Sequence, residues 1–114
     1  MTEQCIFCSI VQDAKPEVLI FRGKHIVAFH DISPKARVHV LVVPKVHRES
    51  LNAITPADSE MIAELFGSIP TIAEQLGIRH SGYKVAINTG ADGGQVVPHL
   101  HIHVLGGEPL SSLV

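Results

Sequence analysis

Histidine occupies every second position of the segment His99-Leu100-His101-Ile102-His103, which continues into Val104 and Leu105. Alternation of period two is the pattern of a β-strand, on which residues i, i+2 and i+4 share a face. The three imidazoles are therefore expected on one face, with Leu100, Ile102 and Val104 turned into a core on the other. Just upstream lies Asn88-Thr89-Gly90-Ala91-Asp92-Gly93-Gly94-Gln95, a stretch rich in glycine. Its backbone N–H groups are little shielded by side chains. A row of imidazoles beside such a loop points to chemistry on an anion, with phosphate the first candidate.

The remaining pattern allows one domain spanning residues 1–114, long enough for a real core and too short for two. Hydrophobic residues make up 46% and charged residues 18%, as in a compact globule. The net charge of −2 and the lack of a basic run argue against a nucleic-acid polymer as partner. No apolar run approaches the roughly 20 residues that span a bilayer, so no membrane partner is expected. Met1-Thr2-Glu3-Gln4-Cys5 lacks the charged and apolar regions of a signal peptide, and a cytoplasmic location is expected.

Read along the chain, Cys8 to Gln12 suits a short helix closed before Pro16. Val18–Phe21 and His25–Phe29, separated by Arg22-Gly23-Lys24, read as a β-hairpin. Asp31-Ile32-Ser33-Pro34 is a turn, and Val38–Val43 a central strand stopped by Pro44. Thr55-Pro56-Ala57-Asp58 signals a helix start, with Thr as cap and Pro in the first turn. Ile62, Leu65, Phe66, Ile69, Ile72 or Ala73, and Leu76 then follow helical spacing up to a Gly77 cap, while Gly67 and Pro70 should weaken or kink the helix. Tyr83–Ile87 is a further strand before the glycine loop. The fold class predicted is α+β: a five-stranded, mostly antiparallel sheet with one main helix and a short N-terminal helix.

Three readings of the histidine strand compete. It could be a polar sheet face with no further role. It could bind zinc, but same-face neighbours lie about 6.6 Å apart and the outer pair about 13 Å apart. With metal bonds of about 2.0–2.1 Å, at most two neighbours could share one ion. Third, a neutral imidazole can attack phosphorus and later leave, and His101 has an imidazole on each side to bind or protonate the substrate. The only two cysteines, in Cys5-Ile6-Phe7-Cys8, allow a redox pair, two small buried apolar groups, or half of a zinc site completed by histidines. A redox pair should follow a strand, yet only four residues precede Cys5.

At this point the sequence resembles the histidine triad (HIT) family, whose His-φ-His-φ-His-φ-φ signature is met by His99 to Leu105. Cys5-Ile6-Phe7-Cys8, Ala28-Phe29-His30-Asp31-Ile32-Ser33-Pro34, Val42-Val43-Pro44-Lys45-Val46-His47 and Gly93-Gly94-Gln95 match in order. Leu105-Gly106-Gly107 is similar to the Hint branch, the purine nucleoside phosphoramidases. The resemblance implies a HIT-like fold and a homodimer, formed without domain exchange, whose two sheets join into one of ten strands. It implies binding of a purine nucleoside monophosphate derivative of AMP or GMP type. The bond cleaved is one at the α-phosphorus, typically to nitrogen, by way of a covalent nucleotidyl-histidine.

By residue matching, the resemblance makes His101 the nucleophile, places His99 beside it to hold the site together, and puts His103 on the phosphate. Asp31 would accept the ribose hydroxyls. Ile6, Phe7, Ile10, Phe29 and Ile32 would line the base pocket, whereas Phe7, Ile10 and Phe29 read on composition alone as plain core. Asn88, Gly94, Gln95 and Val96 would lie on the phosphate and leaving-group side. Similar bacterial proteins with Cys-x-x-Cys imply a structural zinc held by Cys5, Cys8, His47 and His99, with no cofactor needed for the chemistry. Three features depart from the pattern. Val96 replaces a hydroxyl or acidic residue near the leaving group, Pro98 precedes the triad and should delay the strand, and the tail Glu108–Val114 lacks tryptophan. These departures favour a competing reading, a nucleotide-binding or partner-binding module with vestigial hydrolysis.

Overall fold

The structure, a computed structural model, describes residues 5–13 and 18–110. Helix α1 (Ile6–Asp13) precedes the hairpin β1 (Leu19–Arg22) and β2 (Ile26–His30), then β3 (Val38–Pro44). Two short 3-10 turns, Leu51–Ala53 and Pro56–Asp58, lead into helices α2 (Ser59–Gly67) and α3 (Ile69–Gln75), and strands β4 (Tyr83–Ala86) and β5 (Ile102–Gly106) close the fold. The five strands lie in the order β1-β2-β3-β5-β4, and every neighbouring pair is antiparallel. No described helix is long and apolar enough to cross a membrane.

The alternation read from sequence divides the sheet into two faces. Ile26, Ala28, Val40, Val42, Leu100, Ile102 and Val104 pack under Met61, Leu65, Ile69 and Ile72 of α2 and α3. On the opposite face Val27, Phe29, Leu41 and Val43 gather with Cys5 and Phe7 under α1. His39, His101 and His103 share this second face with α1, and of the three His103 is the most exposed. Helix α1 begins earlier than expected because Cys5 caps it: the Cys8 N–H donates to Cys5 Sγ at 3.3 Å, and the Ser9 N–H to the Cys5 carbonyl at 3.1 Å. The expected stop before Pro16 lies outside the described residues.

The single main helix is divided at Ser68, as Gly67 and Pro70 foreshadowed. Pro70 lacks the N–H that a continuous helix would use, and it opens α3 from that helix's first turn. The triad strand also begins later than the histidine pattern suggests, at Ile102. Val42 pairs with Ile102, so continuing the register would set Leu100 opposite Pro44, which has no N–H. The Leu100 N–H instead donates to the Arg48 carbonyl at 2.7 Å. His99 and His101 therefore stand in an extended lead-in, and only His103 lies in the ladder proper, between Leu41 of β3 and Ala86 of β4.

Candidate active site

Five imidazoles line the α1 face of the sheet. Ring centroids lie 4.9 Å apart for His47 and His99, 4.9 Å for His101 and His103, and 5.1 Å for His103 and His39. Phe7 fills the space between His99 and His101, at 5.8 and 5.1 Å. His99 is fully buried and His101 nearly so, whereas His103 is half-buried.

Hydrogen bonds fix the tautomers of His101, His39 and His103. His101 Nδ1 lies 2.6 Å from the His99 carbonyl, which can only accept. In the neutral ring Nδ1 thus carries the proton, and Nε2 bears the lone pair. The Lys35 N–H donates to His39 Nδ1 at 3.0 Å, so a neutral His39 carries its proton on Nε2. That atom lies 2.9 Å from His103 Nδ1 and 3.4 Å from Asp31 Oδ2. His103 Nδ1 therefore accepts, which leaves its Nε2 protonated and available as a donor. Burial, then the neighbouring His101 and His39 charges, pushes His103 down to about 4, and burial also lowers His39, so both rings are neutral near pH 7. Asp31, its Oδ1 accepting the Ser33 N–H at 2.8 Å, completes the group.

Among the described residues, two clusters have the residue types of a metal site: Cys5, Cys8, His47 and His99, and separately Asp31, His39 and His103. The hydrogen bonds distinguish them. In the second, His39 faces its partners through a protonated Nε2, because Nδ1 already accepts from Lys35, so no lone pair is left for an ion. That group is a hydrogen-bond relay. In the first, the His99 Nε2–H donates to the Pro44 carbonyl at 3.0 Å, which turns the Nδ1 lone pair toward the thiols. His99 Nδ1 then lies 3.2 Å from Cys5 Sγ, 3.5 Å from Cys8 Sγ and 3.2 Å from His47 Nδ1, and Cys8 Sγ lies 3.2 Å from His47 Nδ1. Burial, then the Cys5 thiol, pushes Cys8 up to about 11, and burial, then the His47 and His101 charges, lowers His99 to about 4. Four such donors turned on one point suit a metal cation, which favours thiolate and neutral imidazole together.

The other expected site residues are distributed around this row. Phe7 and Phe29 meet edge to face at 5.6 Å within the core, with Ile10 packed beside them, whereas Ile6 and Ile32 are exposed at 55% and 93%. Val96 is 88% exposed. The amide of Gln95 ties its own loop to the segment after His47: Oε1 accepts the Gly90 N–H at 2.9 Å, and Nε2 donates to the carbonyls of Glu49 at 2.7 Å and Val97 at 2.9 Å. Asn88 Nδ2 donates to the Gly93 carbonyl at 2.7 Å. Gly94 has a φ of +80°, and a side chain on Gly93 would collide with the Thr89 backbone.

Sequence reasoning missed His39 and the clamp behind His47. His39 had a readable signal, as the one polar side chain in the run Val38–Val43, at the same parity as Leu41 and Val43 on the α1 face. The clamp had none. Arg48 Nη2 donates to Asp58 Oδ1 at 2.9 Å and Nη1 to the His47 carbonyl at 3.0 Å, and the Thr55 N–H donates to Asp58 Oδ2 at 3.0 Å. The start of α2 thus holds the loop that carries a candidate ligand.

Comparison with known proteins agrees with this geometry. The family model described as HIT domain matches residues 12–110. The chain is 34% identical over 114 residues to a purine nucleoside phosphoramidase of Escherichia coli, covering 100% of this chain and 96% of the relative. It is 39% identical over 104 residues to Protein HitA of Neisseria gonorrhoeae, covering 91% and 96%. A solved HIT family hydrolase from Clostridium thermocellum superimposes with a TM-score of 0.92 at 33% identity, covering 100% of this chain and 99% of the other. The sequence motif, the row of imidazoles on one sheet face and these full-length similarities together show that the chain belongs to the HIT domain family.

Proposed function

We propose that this HIT protein is a nucleotide hydrolase or nucleotidyl transferase that cleaves a bond at the α-phosphorus of a purine nucleoside monophosphate derivative, typically a phosphoramidate. The observation that carries the reading is the 2.6 Å contact of His101 Nδ1 with the His99 carbonyl, which leaves Nε2 as a nucleophile. Nε2 attacks the α-phosphorus, the bond to the leaving nitrogen breaks, and its electron pair stays on that nitrogen. His103 Nε2–H donates to a phosphoryl oxygen, aided by backbone N–H groups of the glycine loop. Val96 has no proton to give, so the leaving amine takes one from water. Water then attacks the nucleotidyl-imidazole, releasing the monophosphate and restoring His101. Asp31 accepts the ribose hydroxyls, Ile6, Phe7, Ile10, Phe29 and Ile32 line the base side, and Asn88, Gly94 and Gln95 shape the phosphate side.

Cys5, Cys8, His47 and His99 hold a structural zinc, which fixes α1 to the triad segment and supplies no step of the reaction. Cysteines kept reduced for that role suit the reducing cytoplasm. The protein works as a homodimer through the open edge of β4, which lets two five-stranded sheets continue as one. Incubation with adenosine 5′-phosphoramidate tests the reading. Release of AMP and an acid-labile nucleotidyl adduct on His101, both lost in His101→Ala while AMP binding survives, are expected. Near-full turnover by His101→Ala would overturn it, and AMP binding without turnover by the unaltered protein would favour a nucleotide-binding module, for which the exposed Val96 speaks.

A further inference from the structure

We propose that Arg48 and Asp58 are positioning residues for the His101 nucleophile, acting through the peptide group that joins His99 to Leu100. The inference rests on the nucleophilic role proposed for His101. That peptide group lies outside the sheet, because the β3–β5 ladder ends at the Val42–Ile102 pair. Its two polar atoms nonetheless both find partners. The Leu100 N–H donates to the Arg48 carbonyl at 2.7 Å, and the His99 carbonyl accepts the His101 Nδ1–H at 2.6 Å. A trans peptide is planar, with its N–H and C=O pointing to opposite sides. Fixing the N–H on Arg48 therefore fixes the direction of the carbonyl that holds the nucleophile. A peptide that donates on one side is also polarised into a better acceptor on the other.

The Arg48 carbonyl is in turn aimed by its own side chain. Nη1 donates to the His47 carbonyl at 3.0 Å and Nη2 to Asp58 Oδ1 at 2.9 Å. One planar guanidinium thus ties the His47–Arg48 backbone to the turn that leads into α2. Asp58 is only 7% exposed, and its Oδ2 accepts the Thr55 N–H at 3.0 Å, which anchors the carboxylate in that turn. The next carbonyl along, that of Glu49, accepts from Gln95 Nε2 at 2.7 Å. Consecutive carbonyls of one short segment therefore hold the triad lead-in and the glycine loop, and a single ion pair holds the segment. Attack on phosphorus needs Nε2 on a defined line, and a misplacement of about 1 Å costs as much as 100-fold in rate.

Asp58→Asn removes the charge but keeps an oxygen for the Thr55 N–H, and Arg48→Lys keeps the charge but loses the fork that reaches both partners. With adenosine 5′-phosphoramidate, and at equal zinc content, each is expected to lower kcat roughly tenfold while the Kd for AMP stays within about twofold. A kcat per active site equal to that of the unaltered protein, with only Tm lowered, overturns the proposal. Nuclear magnetic resonance gives a readout independent of turnover. In the unaltered protein the His101 Nδ1–H proton should lie well downfield and the Leu100 amide should exchange slowly. Both variants should move the Nδ1–H signal upfield and speed Leu100 exchange, with the amides of β2 and β3 unchanged. An unchanged His101 signal overturns the proposal even if the protein proves to lack phosphoramidase activity, an outcome that by itself counts only against the proposed reaction.

Discussion

His39 Nε2 lies 2.9 Å from His103 Nδ1, and the Lys35 N–H on the far nitrogen of His39 dictates which of the two rings donates. The proton on His103 is therefore set by the Lys35 N–H, acting through His39. His39→Ala should remove that control and lower kcat roughly 10- to 100-fold. His39→Gln, whose terminal amide nitrogen takes the place of Nε2, should recover part of the loss. Steady-state kinetics of both variants test this, and equal activity of His39→Ala and the unaltered protein would refute the relay.

Acid should weaken the fold in a defined window. Burial, then the His101 and His39 charges, lowers His103 from its ordinary 6.5 to about 4. Between those values the unfolded chain binds a proton that the folded chain refuses, so stability is complete above about pH 6.5 and falls as pH drops toward 4. His39 is lowered in the same direction, first by burial. Thermal melting from pH 7.5 to 4 should show Tm falling, with a shallower slope in His103→Gln. Parallel slopes for the two proteins would remove His103 as a source.

Loss of the metal should cost stability before it costs chemistry. Elemental analysis should find one zinc per chain, reduced to background in Cys8→Ser. A chelator should lower Tm on the order of 10 °C, as expected when a ligand at roughly 100 times its Kd is withdrawn from a domain this small. Freely reactive Cys5 and Cys8 thiols in the purified protein, with no zinc, would contradict the site.

Gly93 has no room for a side chain, since a Cβ would collide with the Thr89 carbonyl. Gly93→Ala should therefore displace the loop backbone and lower kcat/KM by roughly tenfold or more, with the far-ultraviolet spectrum unchanged. Gly90→Ala, where a Cβ meets open space but φ is +72°, should strain the backbone without that collision and have the smaller effect.

The sequence carried the two periodicities of the fold. Alternation over His99–Val104 separated the imidazoles from the apolar side, and the spacing from Ile62 to Leu76 marked the helix that covers the opposite face. Both signals are local, because a strand or helix of known period fixes which residues share a face. Pro70 likewise announced the break that divides α2 from α3. The triad was legible in its alternation, and the grouping of Cys5, Cys8, His47 and His99 only through the family resemblance. Their mutual geometry was not legible.

What only the tertiary structure decided is where protons sit and which groups are left free. Whether Asp31, His39 and His103 form a relay or a metal site depends on the Lys35 N–H reaching His39 Nδ1. Whether Cys5, Cys8, His47 and His99 can share an ion depends on the Pro44 carbonyl, 55 residues from His99, taking the proton of Nε2. Phe7 meets the His101 ring at 5.1 Å only because α1 packs against that face of the sheet. Each outcome depends on one atom meeting another from a distant part of the chain. Residue type and spacing specify the donors and acceptors, and the packing of separate elements decides which of them meet.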